Sequence, residues 1–128
     1  MRHIRIPIHH SSFVEAMMDK GLAKLGDAYV NFLYSLATSQ REGKPTGIKV
    51  NNRILAEALR RAGLRDLLPG RMSRHDMGNA AEALIAYAWL TGAVTLEECL
   101  GVLKVHEEAV DAFTDLLQKI AEKLDITH

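Results

Sequence analysis

A chain of 128 residues with 48% hydrophobic and 25% charged side chains has the length of one domain and enough apolar surface to bury a core, which excludes wholesale disorder. Sixteen Lys and Arg offset sixteen Asp and Glu, so the net charge carries no signal of the kind a strongly basic nucleic-acid-binding domain gives. One cysteine, Cys99, excludes an intrachain disulfide and a cysteine-built zinc knuckle, and with no apolar run long enough for a signal peptide or a membrane span the expectation is a cytoplasmic protein without membrane contact.

Along the chain, Ile4, Ile6 and Ile8 alternate like a short strand. Ser11-Ser12 followed by Glu15 has the pattern of a capping box, and Phe13, Met17, Ala28, Phe32, Leu33 and Leu36 keep helical spacing, so one helix is expected to Ser39, bent at Gly21 or Gly26. Residues 41–47, REGKPTG, form a loop. Asn51 or Asn52 then caps RILAEALRRAG, whose apolar stripe is Ile54, Leu55, Ala58, Leu59 and Ala62, with Gly63 as its stop and Pro69-Gly70 as the next break. Between Met72 and Gly92 runs AAEALIAYAWL, apolar on nearly every side, which places it at the centre of a helical bundle. Thr95 with Glu98 opens a short helix to about Leu103, and an amphipathic helix over about 105–124 closes the chain. The expected fold is a single all-α domain over residues 1–128, of five or so helices.

Charge is unevenly spread: Arg41 to Arg74 holds nine Lys or Arg against three acids, whereas Val94 to His128 holds three Lys against eight acids. A solvated helix face accounts for either stretch as well as a binding surface does.

Glu82 is the chemical anomaly, a carboxylate flanked by Ala80, Ala81, Ala83, Leu84 and Ile85. A buried glutamate needs a partner, either an arginine or a hard divalent cation, and Asn79 lies three residues earlier on the same helical face. His75 joins that face if the helix reaches back past Gly78; a histidine there is otherwise a surface residue. Asp76 reads as the N-cap of the central helix, and Asp27, between Gly26 and an apolar run, reads on spacing alone as another cap. His9-His10 and His106 have no zinc spacing, and no phosphate loop or nucleophile elbow is present.

Taken together, LAKLGDAYVNFLYSLA (22–37), VNNRILAEALRRAGLRDLL (50–68) and NAAEALIAYAWLTG (79–92) resemble, in that order, the nuclease domain of the ribonuclease III family, whose motifs read LEFLGDAVL, SNxxLAxxAxxxGL and DxxEALIGAIYLDGG. The motifs span about 20–103. The resemblance implies that Asp27 and Glu82 are catalytic and hold Mg²⁺ or Mn²⁺, with Asn79 as a neutral ligand and Asp76 and His75 as further candidates. It also implies a magnesium-dependent endoribonuclease that processes double-stranded or structured RNA, leaving a 5′ phosphate and a 3′ hydroxyl. Lys49, Arg53, Arg60, Arg71 and Arg74 are the candidate RNA contacts.

Two of the family's four usual acids are absent. Ala23 stands where the first motif has its glutamate, and Asn79 replaces the aspartate three residues before Glu82. The alanine variant is similar to the compact mini ribonuclease III branch, so no double-stranded-RNA-binding domain is expected. A homodimer with two acidic sites flanking an RNA valley is implied. Lys24 stands in place of the aromatic plug, so other contacts, including the acidic C-terminal helix, are expected to build it. The alternatives are a catalytically reduced RNA-binding or assembly module and a helical interaction module without a nucleic-acid role.

Overall fold

Polar side chains set the start of nearly every helix. The computed structural model describes residues 12–126, which form α1 (Phe13–Met17), α2 (Lys20–Glu42), α3 (Asn52–Arg61), a 3-10 turn (Arg65–Leu67), α4 (Arg74–Leu90), α5 (Leu96–Leu103) and α6 (Ala109–Lys123). Ser12, Asp19, Asn51, Ser73 and Thr95 each accept a hydrogen bond from a backbone N–H of the first turn, and Ser73–Asp76 and Thr95–Glu98 close full capping boxes. Each such cap stabilises its helix by about 1 kcal/mol. No strand occurs among the described residues, and the all-α expectation holds; the Ile4, Ile6, Ile8 alternation lies outside them.

The single helix expected from Ser12 to Ser39 is two. It breaks at Met18, where the Asp19 carboxylate bonds the Leu22 N–H at 2.9 Å and starts α2 afresh. α2 runs unbroken through Gly21 and Gly26. Asp27 lies well inside that helix and is not a cap, and Asp76 is the third residue of α4, the reciprocal partner of the Ser73 cap. Phe32, one of the apolar positions at helical spacing, is 54% exposed. Gly63, in the left-handed region at φ 82°, ends α3 as its composition indicates.

α4 runs through the middle of the molecule against α1, α2, α3 and α6, while α5 covers α2 and α6. Its small residues let neighbours approach closely: Ala80, Ala81, Ala83, Leu84, Ile85, Ala86 and Ala88 have no exposed surface. At the crossing with α2, a β-carbon on Gly26 would overlap the carbonyl oxygen of Glu82 and lie 3.0 Å from the Glu82 Cβ. Only glycine permits this approach, and it brings the next residue of α2, Asp27, alongside Glu82. One end of the same helix pair is closed by stacking of Tyr29 on Trp89, with ring centroids 4.4 Å apart.

A candidate acidic cleft between the second and fourth helices

Glu82 is 2% exposed, and its Oε2 has no hydrogen-bond partner among the described residues. Burial is the main force on it, with the hydrogen bond and negative charge of Asp27 next and Lys49 opposing; together they push the Glu82 carboxyl from 4.5 up to about 8. No ion pair reaches Glu82 among the described residues, so none of the described arginines is the partner considered from the sequence.

Asp27 is half-buried. Its Oδ1 accepts from the Asn31 side chain at 3.3 Å, and Asn31 in turn accepts the Val50 N–H at 2.7 Å. That one amide therefore ties the α2 carboxylate to the extended segment that carries Lys49 and leads into the Asn51 cap of α3. Asn31 went unnoticed in the sequence, although its position four residues after Asp27, one helical turn on, is the signal that finds it.

Both carboxylates line a cleft of about 810 Å³ together with Asn79, Lys49, Arg71 and His75. Because α4 reaches back through Gly78 to Arg74, His75, Asn79 and Glu82 do share one helical face. His75 Nδ1 lies 2.8 Å from the Asn52 amide nitrogen. Asp76 also borders the cleft, its Oδ2 accepting the Ser73 backbone N–H at 3.4 Å.

The five candidate RNA contacts fall into two groups. Lys49 and Arg71 stand in the acidic cleft, whereas Arg53, Arg60 and Arg74 line a neighbouring cleft of about 500 Å³ between α3 and α4. Arg60 is chelated there by Glu57 at 3.0 and 2.6 Å, and Arg61 joins the same carboxylate at 2.9 Å, so hydrogen bonds from two guanidinium groups hold the Glu57 carboxyl down at about 2. Arg53 and Arg74 have no acidic partner among the described residues.

Two adjacent carboxylates, one with an orphaned buried oxygen, and the Asn79 amide one turn earlier fit a small hard cation. Mg²⁺ is commonly held by one or two carboxylates and keeps several waters. No three His, Cys, Asp or Glu side chains converge on a metal position among the described residues.

A protein-family model described as Ribonuclease III matches residues 20–126, from the first turn of α2 to beyond α6. No curated protein matches the chain significantly.

Proposed function

The chain belongs to the ribonuclease III family, and from that premise we propose that its acidic cleft is the active site of a metal-dependent endoribonuclease acting on double-stranded or structured RNA. The observation that carries the proposal is Glu82, a buried carboxylate with an unpartnered oxygen beside Asp27 in a cleft rimmed by Lys49 and Arg71.

Asp27, Glu82 and Asn79 would hold Mg²⁺ or Mn²⁺, which supplies an activated water and offsets charge on the phosphodiester. The protein's own contribution is positional. Gly26 sets the spacing of the carboxylates, and Asn31 fixes the rotamer of Asp27. Lys49 supplies positive charge at the cleft, and Arg53 and Arg74 add two uncommitted guanidinium groups beside it for neighbouring phosphates. RNA duplexes are recognised by such backbone contacts and by shape.

We further propose a cytoplasmic homodimer. The lone cysteine, fully buried at Cys99, suits a reducing compartment. No helix among the described residues is long and apolar enough to cross a membrane. Phe32, exposed on α2, is the large apolar side chain that a second copy would cover.

Incubating labelled duplex RNA with the protein and Mg²⁺, beside Asp27→Asn and Glu82→Gln, tests the assignment; cleavage expected only from wild type supports it, and equal cleavage by all three removes it. Ala23 and Asn79 in place of family carboxylates, with no third acid at the pair, favour a second reading, a binding or assembly module. Duplex binding without cleavage by wild type selects it.

A further inference from the structure

The Asn52 amide nitrogen lies 2.8 Å from His75 Nδ1 and 3.4 Å from the His75 carbonyl oxygen. A carbonyl oxygen can only accept, so the Asn52 atom facing it is the N–H-bearing nitrogen and not the amide oxygen. The same nitrogen then donates to Nδ1, which must present its lone pair. The imidazole proton consequently sits on Nε2. This tautomer is held by packing. A β-carbon on Gly78 would lie 2.8 Å from both Cβ and Cγ of Asn52, so the first residue of α3 rests directly on the backbone of α4 one turn from His75.

His75 is exposed and borders the cleft, and Nε2 has no partner among the described residues. A metal ion binds a nitrogen lone pair, and here Nδ1 has given its own to Asn52 while Nε2 carries the proton. We propose, resting on the reading that the cleft receives RNA, that His75 is a substrate-binding hydrogen-bond donor whose Nε2–H meets an RNA backbone oxygen, with Asn52 as its positioning residue. His75 precedes Glu82 by seven residues, about 10 Å along a helix axis. It therefore meets a nucleotide flanking the one that is cut.

Three measurements on the full chain test this. In long-range proton–nitrogen NMR spectra at neutral pH, His75 shows a bare Nδ1 and a protonated Nε2. Duplex RNA binding in EDTA weakens roughly tenfold in His75→Ala, as expected for a neutral donor lost from an anionic oxygen, and recovers in His75→Gln, whose amide N–H falls near the Nε2 position. Mn²⁺ affinity is the same in wild type and both variants. A proton on Nδ1, unchanged RNA affinity in His75→Ala, or Mn²⁺ affinity that falls with the substitution each overturns the proposal. Wild type that retains no duplex removes the nuclease reading and this inference with it; wild type that binds while His75→Ala binds equally removes this inference alone.

Discussion

Gly26 and Glu82 touch through the main chain: the space a β-carbon would need on Gly26 is filled by the carbonyl oxygen of Glu82. The contact makes the spacing of the two carboxylates a property of the helix crossing. Gly26→Ala forces α2 and α4 apart in a close-packed interior, for which the expected cost is about 2 kcal/mol or more. Urea unfolding measures it, and a variant within about 0.5 kcal/mol of wild type, the scatter of a neutral surface change, contradicts the contact.

The raised Glu82 carboxyl makes metal-free stability depend on pH. Between its ordinary 4.5 and about 8, the folded protein keeps a proton that the unfolded chain has released. The native state binds more protons, so the contribution is fully present below pH 4.5 and is lost as pH rises toward 8. The difference in unfolding free energy between wild type and Glu82→Gln is expected to change by up to about 1.4 kcal/mol per pH unit across that window, with the variant the more stable at the alkaline end. Parallel curves for the two proteins would show that Glu82 titrates normally.

A divalent cation held by the proposed Asp27 and Glu82 pair would reverse the penalty by offsetting their mutual repulsion. Wild type is expected to gain stability with Mg²⁺ along a saturating curve, by about 2.7 kcal/mol at a hundred times its dissociation constant. Asp27→Asn and Glu82→Gln lose that gain, and Asn79→Ala keeps part of it. Thermal unfolding across a Mg²⁺ series reads all four, and an equal shift in the carboxylate variants places the ion elsewhere.

Arg53→Ala and Arg74→Ala each lower duplex RNA affinity without regard to sequence and reduce the salt dependence of binding by about one ion. Arg60→Ala has a smaller effect, because that guanidinium is already held by Glu57. Filter binding over a salt series distinguishes them; equal slopes in all three variants exclude the second cleft as a contact surface.

Helix existence and order were legible because capping residues and apolar periodicity agree over α3 and α5, where Asn51, Gly63 and Thr95 act as their types suggest, and because periodicity alone marks α6, whose first turn has no side-chain cap. The break at Asp19 was not, since aspartate within a periodic apolar run is equally an exposed helical residue. Asp27 illustrates the opposite failure. Its local sequence is that of a cap, and only the crossing with α4 turns it inward to Glu82. Glu82 itself stood out because a carboxylate among alanines and aliphatics has no local reason to be there. Asn52 was half-read because its partner, His75, lies 23 residues away in the chain, and the link from Asn31 to Val50, 19 residues away, is equally beyond local pattern, whereas its link to Asp27 is not.

The all-round burial of α4 between Ala80 and Ala86 ties its folding to its chemistry at a single position. A carboxylate at residue 82 weakens the protein that carries it, so a descendant that ceased to use the cleft would be free to install leucine or methionine there and gain robustness. That one side chain offers a check on the proposed site: in a related protein that no longer uses the cleft, an apolar residue at this point of the central helix is expected.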